Sequence, residues 1–136
     1  MMLEIYSVTV LRAEAREAAT LEVVESDSHH ARLLLRLGTR IFEADARDCF
    51  DALQQLRRKL AQEGLDVFCY GASRDVWPSG MGRSMGGGRK AYRTALGQSA
   101  QGPLLQIFES GPDIDLVSVE EQESFHQRWI ASLQSS

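Results

Sequence analysis

The order of the periodic segments restricts this chain to few folds. Four stretches with the composition of strands precede the first stretch with a helical period, and they are residues 3–11, 20–25, 31–37 and 40–44. Gly38-Thr39 suits a tight hairpin between the last two. Residues 12–19 fit either a short helical turn or a polar connection. Strands that follow one another without a helix between them pair antiparallel, because a parallel pair needs a long crossover.

The first helical segment is recognised by one apolar stripe. Side chains three and four positions apart share a helix face, and here they are Cys49, Phe50, Leu53, Leu56 and Leu60. Asp45 is placed to cap the start, with Asp48 in the first turn, where the helix dipole favours a carboxylate. Gly64 is placed to end the helix. We therefore predict an amphipathic helix that packs on the strands.

The second half of the chain also runs from strands to a helix. Residues 65–70, 91–96 and 104–108 predict further strands, the last two paired as a hairpin across a turn-rich connection, 97–103. Ser118 and Glu121 predict a capping box for the last helix. Its apolar positions are Phe125, Trp129, Ile130 and Leu133. The order predicts an α+β fold in a single domain, 1–136, with a mostly antiparallel sheet of about six or seven strands and two helices packed against it.

Size and composition are those of a globular protein. The chain has 136 residues, 43% hydrophobic and 25% charged, which suits one domain that buries its own core. No apolar run approaches the roughly 18–20 residues of a membrane span, and the first residues lack a signal-peptide pattern. Cys49 and Cys69 are too few for a disulfide framework. We expect a cytoplasmic protein with two buried, reduced thiols and no membrane contact.

A glycine-rich segment, residues 74–90, follows the strand predicted at 65–70. Five of the chain's 11 glycines lie between Gly80 and Gly88, and no apolar period survives there, so the pattern predicts a loop. Tryptophan, methionine and arginine, which this segment also carries, are enriched in the cores of protein interfaces. We predict that the segment is a recognition surface. Its candidate partner-binding residues are Arg74, Asp75, Trp77, Met81, Arg83, Met85, Arg89 and Lys90. The alternative is that Trp77 and the methionines fold back onto the sheet.

Charge is unevenly distributed along the chain. The net charge is −4, but residues 67–101 hold five bases against one acid, whereas residues 102–136 hold one base against six acids. Residues 1–30 hold two bases against six acids, so the middle of the sequence is basic and both ends are acidic. A field of one sign attracts a partner of the other sign. A basic surface between acidic ends favours a partner with a complementary charge pattern.

Several chemistries are disfavoured by spacing. The glycines match neither the P-loop pattern nor G-x-G-x-x-G, and a strand pattern rather than a helix follows Lys90. His29 and His30 lie in a polar turn, and His126 is typical of a packed or rim position. We predict no catalytic residues, no metal site and no cofactor, and hence no enzyme. The arginines and Trp77 could contact nucleic acid, but a pI near 5.4 argues against it.

The run CYGASRDVWPSGMGRSMGGGRKAY, residues 69–92, resembles a set of small bacterial proteins. The likeness covers about residues 65–134, and its distinctive parts are PSGM and MGGG-x-KAY. These relatives are associated with loci for polymorphic toxins, where small acidic α+β proteins act as immunity partners. The resemblance implies a cytoplasmic protein that binds and blocks a toxin domain, and it supplies no catalytic residues.

Two functions remain open at this point. The first is a protein-binding module, an immunity protein that neutralises a toxin effector domain through either the basic segment or an acidic stretch. The second is a small enzyme or ligand-binding domain in which the glycine-rich segment closes over an anionic, phosphate-bearing ligand. In that case the ligand would be held by Arg74, Arg83, Arg89 and Lys90.

Overall fold

The computed structural model describes residues 2–26 and 30–134 as an α+β fold, which confirms the predicted class. The elements are β1 (Met2–Arg12), β2 (Ala15–Ser26), β3 (His30–Leu37), β4 (Arg40–Ala46), α1 (Cys49–Ala61), β5 (Leu65–Phe68), β6 (Val76–Trp77), α2 (Gly80–Gly86), β7 (Lys90–Ala95), β8 (Gln98–Gln106) and α3 (Val119–Gln134). Within the described residues there are three α-helices and eight strands in two antiparallel sheets, so the prediction of one sheet with two helices was wrong in its counts.

The larger sheet has five strands in the order β4-β3-β2-β1-β5, all antiparallel. Its first hairpin turns at residues 13–14 and β2 begins at Ala15, so residues 12–19 form neither the helical turn nor the polar connection that was predicted there. The hairpin predicted at Gly38-Thr39 is confirmed. Of the predicted polar turn before β3, residues 27–29, His29 among them, lie outside the described residues, while His30 begins β3.

Helix α1 covers one face of the larger sheet. The predicted stripe is confirmed, because Cys49, Phe50, Leu53, Leu56 and Leu60 are all fully buried. The N-cap is Asp48 rather than Asp45, since the Asp48 carboxylate accepts a hydrogen bond from the Asp51 amide at 2.7 Å. Asp45 is the penultimate residue of β4. The cap lies three residues later than predicted because β4 continues to Ala46 before the chain turns into the helix.

The smaller sheet has three strands in the order β6-β7-β8. Residues 97–103 are not a turn-rich connection: β8 begins at Gln98 and ends at Gln106, so the predicted hairpin is real but has a much shorter turn. The strand predicted at 65–70 ends at Phe68. One hydrophobic core serves both sheets, since Val76 and Ala91 of the smaller sheet belong to the same buried cluster as the larger sheet and α1.

The glycine-rich segment is not a plain loop. It contains β6, the seven-residue helix α2 and the first residue of β7. Ser79 caps α2 by accepting a hydrogen bond from the Gly82 amide at 2.9 Å, and Gly87 ends the helix in the left-handed conformation at φ +69°. These are ordinary start and stop signals of a helix. The many glycines between them had masked the helix in the sequence pattern.

Helix α3 enters the core at its first turns, beside α1, and contacts the smaller sheet further along, at His126 and Trp129. The Ser118 hydroxyl accepts a hydrogen bond from the Glu121 amide at 3.1 Å, which is one half of the predicted capping box, while the Glu121 carboxylate contacts Arg74. Val119 and Gln122 are buried, whereas Ile130 and Leu133 are each 40% exposed. The predicted apolar face of α3 is therefore partly exposed to solvent toward the C-terminal end of the helix. No helix among the described residues combines the length and apolar character that a membrane crossing demands.

Candidate functional site

The backbone after α2 is fixed to the start of α1. The Cys49 amide donates a 2.7 Å hydrogen bond to the Gly87 carbonyl, and the Gly88 amide donates to the Gly82 carbonyl at 3.1 Å. Gly87 and Gly88 both have φ of +69°, a conformation that glycine adopts without strain. A side chain at Gly88 would also meet the Asp48 carboxylate at 3.0 Å. These two glycines are therefore needed for the close approach of α2 to α1.

Arg83 also holds α2 against the start of α1. Its Nε donates to the Asp48 carboxylate at 2.8 Å, and its guanidinium lies 5.4 Å from the centre of the Phe50 ring. The Asp48 side chain is 10% exposed and that of Arg83 is 29% exposed, so the pair is largely shielded from water. Arg83 therefore holds α2 in position and is not a free cation.

Arg89 joins the end of the glycine-rich segment to the larger sheet. Its guanidinium contacts the carboxylates of Glu4 on β1 and Glu25 on β2. Burial raises the pKa of Glu25 and lowers the pKa of Arg89, because both charged forms lose hydration there. Arg89 too is engaged within its own chain.

Arg74 and Asp75 contact residues outside α2. Arg74 donates to the Asp115 carboxylate at 2.8 Å, in the connection before α3. Asp75 accepts from Ser73 at 2.8 Å and from Arg93 of β7 at 3.1 Å. The pairing of Asp75 with Arg93 thus joins β6 to β7.

Trp77 is partly buried between two helices. Its ring meets Phe50 of α1 edge-on at a centroid distance of 4.9 Å, and it stacks on His126 of α3 at 4.1 Å with an interplanar angle of 8°. The pKa of His126 is lowered, first by burial and second by the charge of Arg83. The predicted packed or rim position of His126 fits this stack. Trp77 combines a packing role with partial exposure.

The two methionines of α2 point outward. Met81 is 72% exposed and Met85 is 81% exposed, and their spacing of four places them on one face of the helix. Lys90 is also exposed and makes no ion pair with any part of the chain that the structure describes. These three side chains, unlike the arginines, are available to a partner.

Two concave regions flank this face. A groove of about 520 Å³ runs between α2 and the β7–β8 hairpin; Met81, Met85, Lys90, Tyr92 and Leu104 are among its lining residues. A second pocket of about 430 Å³, which we call the aromatic pocket, lies between the smaller sheet and α3. Among the residues that line it are Trp77, Ser79, Arg83, Tyr92, Ala100, His126 and Trp129. Ser79 and Tyr92 line both, so the groove and the pocket form one continuous surface.

The thiols are not part of this surface. Cys49 and Cys69 are free and fully buried, as predicted. Burial raises the pKa of Cys49, with a further contribution from the negative charge of Glu25, and burial raises the pKa of Cys69 to about 12. Because the thiolate is the nucleophile, neither thiol is suited to nucleophilic chemistry.

The candidate site differs in its membership from the predicted set. Met81, Met85 and Lys90 share one exposed face, while Arg74, Asp75, Arg83 and Arg89 make contacts within the chain. Tyr92, Leu104 and Trp129 also line this surface, but they were not among the predicted binding residues. The sequence signals that could have identified them were the strand alternation around Tyr92 and the four-residue period at Trp129. Neither a scan against protein-family models nor a search of curated proteins finds a match to this chain. A function for this protein is therefore inferred from the geometry of this surface.

Proposed function

We propose that this protein is a cytoplasmic binding module that uses the outward face of α2 to bind another protein. More specifically, we propose that it is an immunity protein that neutralises a toxin effector domain. The observation that carries it is the exposure of Met81 and Met85 on a helix whose backbone and whose arginine, Arg83, are tied to the core. Methionine is adaptable and polarizable, and it is frequent at protein-binding surfaces.

The preorganisation of α2 supports recognition of a protein. A seven-residue helix is too short to be stable alone in water. Here the Cys49–Gly87 hydrogen bond and the Arg83–Asp48 ion pair hold it against α1. A surface that is ordered before binding loses less conformational entropy when a partner arrives. The apolar side chains are thus presented from a fixed base.

The ion pairs favour a protein partner over an anionic ligand. Arg74, Arg83 and Arg89 each face a carboxylate of the chain, so a phosphate would have to displace Asp115, Asp48 or the Glu4–Glu25 pair. The arginines that suggested phosphate binding are already neutralised. Only the exposed Lys90 remains from that set, and a single surface lysine is a weak basis for holding a phosphate.

The immunity role depends on the resemblance of residues 65–134 to proteins of toxin loci. Its test is co-expression of the chain with the product of the adjacent gene, followed by co-purification and a growth assay. We expect a stable complex and restored growth. The variant Met81→Ser/Met85→Ser should weaken binding at least tenfold, which corresponds to about 1.4 kcal/mol, with little change in melting temperature.

Ile41→Ser is the matched control for that variant. Ile41 is 50% exposed but lies on β4 of the larger sheet, away from α2. It should leave binding unchanged. Wild-type affinity in the double methionine variant would contradict the proposed surface. Absence of both a complex and growth protection would contradict the immunity role.

A further inference from the structure

Both tryptophans of the chain meet at one place. The sequence has two, Trp77 on β6 and Trp129 on α3, and both line the aromatic pocket. Tyr92 of β7 contributes a third aromatic wall. The Trp129 indole N–H is already used, since it donates to the Gln98 carbonyl at 2.7 Å. The indole therefore offers the pocket an apolar ring rather than a hydrogen bond.

The charges around the aromatic pocket indicate a neutral occupant. Arg83 is the lining residue with a permanent charge, and its guanidinium is paired with Asp48. No carboxylate is among the lining residues that the structure describes, so a cation would lack a counter-ion and would face Arg83. A bare anion would likewise find no unpaired cation there. An uncharged group is the remaining fit, and the rings of Trp77, Tyr92 and Trp129 favour an apolar one.

The adjoining groove has a different electrostatic character. Its charged lining residues, among those the structure describes, are Arg89 and Lys90. Arg89 contacts Glu4 and Glu25, which leaves Lys90 as the exposed charge without an ion pair. A partner segment that lies along this groove gains attraction from a carboxylate near Lys90.

From these features we infer that the aromatic pocket receives an aromatic side chain of the protein partner as the main anchor, and that a carboxylate of the same partner segment faces Lys90. This inference rests on the proposed function and assigns the chemistry of its partner. An aromatic ring suits the pocket because offset or edge-to-face contacts with indole and phenol walls add to the burial of apolar area. Buried aromatic anchors typically dominate the affinity of protein interfaces.

Random 12-residue peptides displayed on phage, selected against the full-length chain, provide the test. We expect enriched peptides to combine an aromatic residue with aspartate or glutamate. Binding of a synthetic enriched peptide should change the tryptophan emission, because both indoles line the aromatic pocket. Replacing the peptide's aromatic residue by alanine should weaken binding at least tenfold.

Variants of the protein test which of its residues contact the peptide. The affinity of each variant is measured by the fluorescence anisotropy of a labelled peptide. Ala100→Trp places a large side chain at an exposed position that lines the aromatic pocket, and it should weaken binding at least tenfold. Lys90→Glu should weaken binding several-fold and reduce its dependence on salt. Ile41→Ser is the control and should bind as the wild type does. Melting temperatures of all variants report whether each one folds.

The outcomes separate this inference from the proposed function. Enriched peptides without aromatic residues, or undiminished binding to folded Ala100→Trp, would overturn the inference. If those peptides still lose affinity for Met81→Ser/Met85→Ser, the proposed binding face stands. No enrichment over an unrelated bait would also overturn the inference, and the co-expression experiment then decides the proposed function independently.

Discussion

A single carboxylate connects the first helix to the glycine-rich segment. Asp48 accepts a hydrogen bond from the Asp51 amide at 2.7 Å, which caps α1, and another from Arg83 Nε at 2.8 Å, which holds α2. Gly88 packs against the same side chain. Because Asp48 is mostly buried, loss of either partner would leave its charge poorly compensated.

Gly88→Ala tests this close approach. The new Cβ would lie 3.0 Å from the Asp48 carboxylate and 3.1 Å from the Phe50 amide nitrogen, and the backbone has φ of +69°. Steric strain of this kind costs on the order of 1–3 kcal/mol, and the expected loss in the free energy of unfolding, measured by urea denaturation, is about 2–3 kcal/mol.

Gly86→Ala is the matched control for Gly88→Ala. Gly86 belongs to α2, and a Cβ added there would meet no atom of the described residues within 4 Å beyond its own helix and chain neighbours. Alanine at this position should therefore be neutral or stabilise the fold by up to about 1 kcal/mol. Equal effects of the two substitutions would show that the contact with Asp48 is unimportant.

The elements differ in how far sequence could predict them. The strands of the larger sheet and α1 follow from local period, because their apolar residues face one buried side. Helix α2 was missed because each interior glycine disfavours a helix by about 1 kcal/mol, and contacts with Asp48 and Cys49 stabilise it from outside the segment. The first part of strand β8, residues 98–103, was missed because Gly102-Pro103 is a turn signal, which an edge strand tolerates.

The attachment of α3 was also beyond the sequence pattern. Gln122 is fully buried, and its amide nitrogen lies 2.9–3.0 Å from the carbonyl oxygens of Gly71, Ser73 and Val76. Its side-chain oxygen accepts from Arg57 of α1 at 2.8 Å. Hydrophobic periodicity identifies buried apolar residues, so it could not predict that the polar Gln122 is buried and joins α3 to α1 and to the residues before β7.

Gln122→Ala should detach α3 from this network. It leaves buried carbonyl groups and the Arg57 guanidinium short of partners, so we expect a loss of about 2–4 kcal/mol in the free energy of unfolding. Gln127→Ala, at an exposed position of the same helix, should change stability by less than about 0.5 kcal/mol. Chemical denaturation of both variants makes the comparison, and a loss no larger at Gln122 than at Gln127 would refute the role of the network.

At the scale of the whole molecule, α3 and the smaller sheet meet around His126, which stacks on Trp77 and lies 5.7 Å from Trp129. Its pKa in the folded state is below the ordinary value because of burial, with a smaller contribution from Arg83. The unfolded chain, with an imidazole pKa of about 6.5, therefore binds more protons than the folded protein in the window below that pH. Stability should fall as the pH is lowered through this window.

His126→Gln should reduce that dependence. Urea midpoints at about pH 7.5 and pH 5.5 should differ less for the variant than for the wild type, because only the wild type must keep this imidazole neutral while folded. The other titrating groups are common to both proteins, so the difference between the two pH profiles isolates His126. Identical profiles would show that protonation of His126 does not oppose folding.

In the glycine-rich segment, the exposed methionines and the paired arginines have separate roles: the former are open to a partner, and the latter stabilise the fold. Met81 and Met85 are largely exposed, so their substitution should cost the fold little stability. Arg83 and Arg89 keep the backbone in place beneath them. Substitutions at Met81 and Met85 should therefore change what the surface binds while leaving the stability of the fold nearly unchanged.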